Sequence, residues 1–175
     1  MRDLVDRSRL NQLIRALGIA AESRVRIYLV GGTTAVLMGW RNSTVDVDLV
    51  MRPEDEAVLR AIPRLKESLR VNVETASPLD FIPIPPGWED RGVFIERIGQ
   101  AEFYHFDLLG QALAKVQRGH QQDLDDVQAM LDRGLITAAD ARDYFARIEG
   151  LLYRFPSIDP KSFQQAVAKV FGGPS

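Results

Sequence analysis

The fold is set most tightly by residues 27–51, which read IYLVGGTTAVLMGWRNSTVDVDLVM. An apolar run of strand length ends at two glycines, a short amphipathic segment follows, and apolar and polar residues then alternate. This alternation predicts one half-buried β-strand from Thr44 to Met51. Side chains two residues apart on a strand share a face, so Asp46 and Asp48 lie side by side. Their like charges repel, and this face therefore needs a positive partner.

The rest of the chain divides into a mixed part and a helical part. Predicted helices and strands alternate through residues 1–109, with Pro53 at the first position of a long helix. Apolar residues recur at helical spacing through residues 110–175. We therefore expect an α+β (mixed α/β) fold, with a small mixed β-sheet flanked by helices, followed by a C-terminal helical segment packed on that core. Residues 78–92 form a long loop rich in proline.

The composition excludes several classes of protein. Apolar residues make up 46% of the chain and charged residues 26%, which is typical of a globular protein. The net charge of −2 provides no general attraction for nucleic acid. The absence of cysteine excludes disulfides and thiolate zinc sites. No apolar run is long enough for a membrane span and no signal peptide is visible, so we expect a cytoplasmic protein without membrane contact.

A divalent cation is the simplest positive partner for the two aspartates. Mg²⁺ (or Mn²⁺) prefers hard oxygen ligands and binds one or two carboxylates together with substrate phosphates, as phosphoryl and nucleotidyl transfer require. Gly31 and Gly32 would let backbone amides approach a phosphate closely, and Arg41 is a further candidate phosphate contact. The alternatives are an acidic face that only solvates the sheet, and a glycine pair that only makes a tight turn.

The order of these features resembles the minimal nucleotidyltransferases of the DNA polymerase β superfamily. A strand, a glycine turn, a short helix and an (S/T)-x-D-x-D strand form the metal and nucleotide site in that superfamily. The glycine pair followed by RNSTVDVDL is most similar to the AbiEii-like, toxin-type nucleotidyltransferases of abortive-infection and toxin–antitoxin systems. Thr33 stands where classical members have serine, so a hydroxyl is kept. The resemblance implies that the metal and nucleotide site contains Gly31, Gly32, Thr33, Thr44, Asp46 and Asp48.

A second block, ALAKVQRGHQQDLDDVQAML from Ala112 to Leu131, extends this resemblance. AbiEii-like proteins carry a lysine on a helix, then a basic residue, then an Asp-x-x-Asp helix. The resemblance implies that Lys115 and Arg118 contact the triphosphate and that Asp123 or Asp126 orients them. The two cations share one helical face, which is compatible with that role. The alternative is a solvated helix pair with ordinary surface salt bridges.

The resemblance also implies a third carboxylate beside the aspartate pair. Glu74 lies on the strand after the long helix, where the family pattern places this residue, and we expect it to complete a metal site with Asp46 and Asp48. Asp80 and Asp107 remain alternatives. Asp107 directly precedes a predicted helix, so capping of that helix is its simpler role.

Together these features predict a metal-dependent nucleotidyltransferase. The resemblance covers residues 26–131 and implies transfer of an NMP from NTP to an RNA (tRNA) or protein acceptor, with Asp46, Asp48, Glu74 and Lys115 as the catalytic residues. It also implies a toxin-type enzyme with a cognate antitoxin as partner. The alternative is a catalytically silent protein of the same fold that binds a partner in a toxin–antitoxin or defence system.

Overall fold

The computed structural model describes residues 3–173, which contain seven strands and seven α-helices. The strands are β1 (Val5–Asp6), β2 (Val25–Val30), β3 (Ser43–Thr44), β4 (Asp46–Arg52), β5 (Asn72–Glu74), β6 (Val93–Ile98) and β7 (Ala101–His105). The helices are α1 (Arg7–Ala20), α2 (Gly32–Met38), α3 (Glu56–Leu69), α4 (Leu108–Arg118), α5 (Gln121–Asp132), α6 (Ala138–Ile148) and α7 (Pro160–Phe171). This content confirms the predicted α+β fold.

Five of the strands form one mixed sheet in the order β5-β4-β2-β7-β6. The middle strand β2 is antiparallel to β4 and parallel to β7. At the edges, β5 is parallel to β4 and β6 is antiparallel to β7. The short strands β1 and β3 pair separately and antiparallel.

The chain folds into two compact units, and each unit is made from two chain segments. The first unit contains the described residues through Ser77 together with Gly92–Phe106, and it holds all seven strands with α1 to α3. The second unit contains Pro78–Arg91 and the described residues from Asp107 onward, with α4 to α7. The proline-rich loop therefore groups with the helices.

Alternation along β4 places the core of the first unit on one face of the sheet. Val47, Leu49 and Met51 are buried in a cluster to which α1 contributes Leu13 and α3 contributes Val58. Asp46 and Asp48, which alternate with these residues, consequently face the other side of the sheet. Burial of this apolar stripe fixes the register of β4, because a slip by one residue would bury both carboxylates.

Two details differ from the sequence-based expectations for this region. Thr44 and Asp46 belong to different strands, and Val45 between them is 43% exposed, so the single strand predicted from Thr44 to Met51 was wrong. Pro53 lies before α3 instead of opening it. Asp55 caps this helix by accepting a hydrogen bond from the Val58 amide at 3.0 Å, which supplies the start signal that proline was expected to give.

In the second unit, Asp107 binds other side chains and does not cap a helix with its carboxylate. It precedes α4 but makes no side-chain cap hydrogen bond. Its Oδ2 atom accepts hydrogen bonds from Arg91 Nε at 2.8 Å and from the Tyr144 hydroxyl at 3.1 Å. Arg91 also donates to the carbonyl oxygens of Pro85 and Pro86 at 2.7 and 2.8 Å. The expected capping role was therefore wrong, because this carboxylate instead joins the proline-rich loop to the helices.

Candidate nucleotide and metal site

The turn between β2 and α2 is built from two glycines that no other residue replaces without strain. Gly31 has a φ of +67°, a conformation that side-chain-bearing residues rarely adopt. A Cβ atom on Gly32 would lie 2.1 Å from Thr44 Oγ1 and 3.2 Å from Arg41 Nη1. A Cβ atom on Gly31 would lie 3.8 Å from Asp48 Oδ2. The glycine turn therefore lies directly against a hydroxyl, a guanidinium group and one of the two aspartates.

Four polar side chains lie together on the face of β4 and β5 opposite the core. The parallel register pairs Asp46 with Asn72 and Asp48 with Glu74. Asn72 Nδ2 donates to Asp46 Oδ1 at 2.7 Å and to Glu74 Oε1 at 2.9 Å. We call these four residues the carboxylate face. Glu74 thus lies next to the aspartate pair, while Asp80 and Asp107 belong to the second unit.

The carboxylate face offers enough oxygen ligands for one small divalent cation. Among residues 3–173, no group of three or more histidine, cysteine, aspartate or glutamate side chains is arranged so that it could hold a metal ion. Mg²⁺ does not need such a cage, because it is usually held by one or two carboxylates together with substrate phosphates. Asp46 and Asp48, adjacent on one face and beside the glycine turn, fit that donor set. A metal-ligand role for Glu74 stays a prediction.

Two threonines and a histidine support the start of α2 from inside the first unit. Thr33 is fully buried, and its hydroxyl oxygen has no hydrogen-bond partner among the described residues. The Thr34 hydroxyl donates to the Leu29 carbonyl oxygen at 3.3 Å and lies 3.0 Å from His105 Nδ1. Burial lowers the pKa of His105 to about 4, so its ring is neutral near pH 7. Contact of Thr33 with a phosphate stays a prediction.

The basic residues predicted on α4 pair with the two aspartates predicted on α5. Lys115 Nζ lies 2.8 Å from Asp126 Oδ2 and 3.7 Å from Asp123 Oδ1. Arg118 donates to both oxygens of Asp123, at 2.8 and 2.6 Å. Lys115 and both aspartates are buried, whereas the Arg118 side chain is half exposed. The pairing expected from the second sequence block is therefore present, and the alternative of ordinary surface salt bridges is wrong for Lys115.

The electrostatic environment keeps Asp123 ionised. Burial opposes ionisation of this carboxyl group, but the hydrogen bonds and charge of Arg118 and the charge of Lys115 outweigh burial and lower its pKa. The role expected for Lys115 and Arg118 at a triphosphate stays a prediction.

Sequence reasoning did not predict the contacts made by two residues of this arrangement, Asn72 and His105. Asn72 was not identified, although Asn72 and Glu74 repeat the two-residue spacing of Asp46 and Asp48. Its importance depends on the pairing of β5 with β4, which no local pattern specifies. His105 lies far from Thr34 in sequence and meets it only through the pairing of β7 with β2.

The fold and the carboxylate face together indicate the kind of reaction for which the site is suited. A mixed sheet that presents two adjacent carboxylates beside a glycine turn has the parts needed to hold a cation and a phosphate group, which is the basis of phosphoryl and nucleotidyl transfer.

The comparison with known families specifies this kind of reaction further. Residues 8–144 match the family described as "Nucleotidyltransferase of unknown function (DUF6036)", so the chain belongs to this nucleotidyltransferase family. The matched range includes every candidate residue from Gly31 to Asp126. Membership indicates nucleotidyl transfer as the general chemistry and a nucleotide as the substrate. Comparisons with curated proteins and with solved structures found no significant match. No helix within residues 3–173 is long and apolar enough to cross a membrane.

Proposed function

We propose that this protein transfers a nucleoside monophosphate from an NTP, with release of pyrophosphate, to a hydroxyl group of an RNA, such as a tRNA end, or of a protein side chain. The observation that supports this proposal most directly is the approach of the Gly31–Gly32 turn to Asp48, because a Cβ atom on Gly31 would lie 3.8 Å from Asp48 Oδ2. It brings backbone amides able to bind phosphate next to carboxylates able to bind Mg²⁺ or Mn²⁺, in a chain of a nucleotidyltransferase family.

Each residue of the site has a proposed role in this reaction. Asp46 and Asp48 hold the cation, with Glu74 as the third carboxylate. A cation held by these carboxylates would lower the pKa of the acceptor hydroxyl and offset the negative charge on the triphosphate. The amides of the glycine turn, assisted by the hydroxyl of Thr33, bind phosphate oxygens.

Thr44 holds the strand that carries the aspartates, because its hydroxyl donates to the Asp46 carbonyl oxygen at 3.0 Å. Lys115 and Arg118, oriented by Asp123 and Asp126, neutralise the remaining phosphate charge.

The toxin-type role is part of the same proposal. The similarity of the two sequence blocks to AbiEii-like proteins supports a toxin enzyme that is controlled by a cognate antitoxin.

One observation favours a second candidate function. The described residues contain no group of three carboxylates arranged to hold a metal ion. This favours, as the alternative, a catalytically silent protein that binds a partner in a toxin–antitoxin or defence system.

The test is the thermal stability of the protein with Mg²⁺ alone, with each NTP alone and with both. A ligand at 100 times its dissociation constant stabilises the folded protein by about 2.7 kcal/mol, which raises the melting temperature by roughly 5–10 °C. We expect at least one NTP to stabilise the wild type only when Mg²⁺ is present. We expect the Asp46→Asn/Asp48→Asn variant to lose this effect.

The matched control is Asp143→Asn, which makes the same chemical change at an exposed position of α6. It should respond to Mg²⁺ and NTP as the wild type does. If no NTP at millimolar concentration stabilises the wild type, the proposal fails and the silent partner-binding alternative is favoured. If an NTP does, incubation with radiolabelled NTP, RNA and protein fractions identifies the acceptor by which fraction gains the label.

A further inference from the structure

The amide of Asn72 lies between two carboxylates of the carboxylate face. One nitrogen donates to Asp46 and to Glu74, and both hydrogen bonds are of normal length, at 2.7 and 2.9 Å. Asn72 is directly opposite Asp46 in the parallel pairing of β5 with β4. The backbone register and the two hydrogen bonds therefore fix this amide in one position.

These hydrogen bonds limit how the carboxylates can bind a cation. A carboxylate can coordinate through one oxygen or through both. Asp46 Oδ1 and Glu74 Oε1 each accept a hydrogen bond from Asn72, so a cation bound through both oxygens of either carboxylate would have to share one of these oxygens with the amide donor. The amide thus favours coordination through a single oxygen of each carboxylate. It does so without adding charge, and the negative potential that attracts a cation is retained.

Single-oxygen coordination distinguishes small from large divalent cations. Mg²⁺ requires near-ideal octahedral geometry with short bonds, whereas Ca²⁺ takes six to eight oxygens and readily accepts carboxylates through both oxygens. We propose that Asn72 is a specificity-determining residue that makes this site select Mg²⁺ or Mn²⁺ over Ca²⁺. The inference rests on the proposed function, because it assumes that Asp46, Asp48 and Glu74 bind a divalent cation.

The experiment measures the dissociation constants of MgCl₂, MnCl₂ and CaCl₂ by isothermal titration calorimetry without nucleotide, so that catalysis does not enter. The proteins are the wild type, Asn72→Ala, and the matched control Asn11→Ala on the exposed face of α1. Loss of a residue that orients a metal ligand typically changes metal affinity 10- to 100-fold. We expect the preference of Asn72→Ala for Mg²⁺ over Ca²⁺ to fall by about tenfold or more, and that of Asn11→Ala to equal that of the wild type.

A second variant covers the case in which Asn72→Ala does not fold, as judged by circular dichroism. Asn72→Ser keeps a polar side chain, but its short hydroxyl group cannot bridge the two carboxylates, so it should show the same loss of preference. If the wild type binds Mg²⁺ and the Asn72 variants keep its preference for Mg²⁺ over Ca²⁺, the proposed role of Asn72 is overturned. The proposed metal site is not affected by that result. A wild type that binds no divalent cation, even in the presence of NTP, would overturn the proposed metal site and this inference together.

Discussion

Gly32 is the residue whose small size the candidate site needs most. An added Cβ atom would lie 2.1 Å from Thr44 Oγ1 and 2.9 Å from Thr44 Cβ, distances at which something must move. Because β3 is held by its pairing with β1, we expect Gly32→Ala to cost about 1–3 kcal/mol, the usual cost of overpacking. Urea denaturation of the variant measures this change in the free energy of unfolding.

Gly150→Ala is the matched control for this prediction. A Cβ atom at Gly150 meets nothing within 4 Å, so this variant should be neutral or slightly more stable than the wild type. Equal effects of the two substitutions would show that the contact with Thr44 does not matter.

His105 should make the stability of the protein depend on pH in a defined range. Burial lowers its pKa to about 4, from about 6.5 in the unfolded chain. Between these values the unfolded chain binds a proton that the folded protein does not, so the free energy of unfolding falls as the pH is lowered from 6.5 to 4. We expect the wild type to lose roughly 2–3 kcal/mol more than His105→Gln between pH 7 and pH 4.5, because each pKa unit corresponds to 1.36 kcal/mol.

The same comparison with His120→Gln isolates the effect of burial. The His120 side chain is 75% exposed, so its replacement removes an imidazole ring without changing the buried surroundings of His105. Chemical denaturation at several pH values measures all three proteins. Parallel pH profiles for the wild type and His105→Gln would contradict the prediction.

The connection between α4 and α5 depends on a buried ion pair. Lys115 and Asp126 are both buried, and their charged atoms are 2.8 Å apart. Breaking a buried ion pair by removing one of its two charges typically costs 3–5 kcal/mol. We therefore expect Lys115→Met to lower the free energy of unfolding by about that amount, as measured by urea denaturation.

Two further variants separate charge from packing in this helix pair. The double variant Lys115→Met/Asp126→Leu replaces the ion pair by apolar side chains and should recover most of the loss. Lys161→Met, at an exposed position of α7, should change the stability by no more than about 0.5 kcal/mol. A double variant as unstable as the single one would argue against an ion-pair effect.

Local sequence patterns predicted a strand or helix correctly where the residues of one short stretch alone determined its structure. The apolar run before Gly31 predicted β2, and the alternation after Val45 placed Asp46 and Asp48 on the face away from the core. The prediction for Pro53 was wrong because two start signals competed, and Asp55 provides the actual cap. The role expected for Asp107 was wrong because its partners, Arg91 and Tyr144, are distant in sequence.

At the scale of the whole molecule, sequence reasoning predicted the fold class but not that each unit is made from two separate chain segments. The proline-rich loop groups with helices that begin after β7, while the hairpin of β6 and β7 returns to the sheet. Periodicity describes neighbours along the chain and carries no information on such returns. The pairing of Asn72 with Asp46 belongs to the same class of long-range contact, which explains why the residue was missed.

The position of β2 in the middle of the sheet has a consequence for synthesis on the ribosome. Its antiparallel partner β4 follows soon after it, but its parallel partner β7 is translated only after β3 to β6. One side of β2 therefore stays unpaired while much of the chain is made, and an unpaired strand edge is a site for association with other chains. Arrival of the β6–β7 hairpin closes this edge, so the nascent protein is most exposed to aggregation before His105 leaves the exit tunnel.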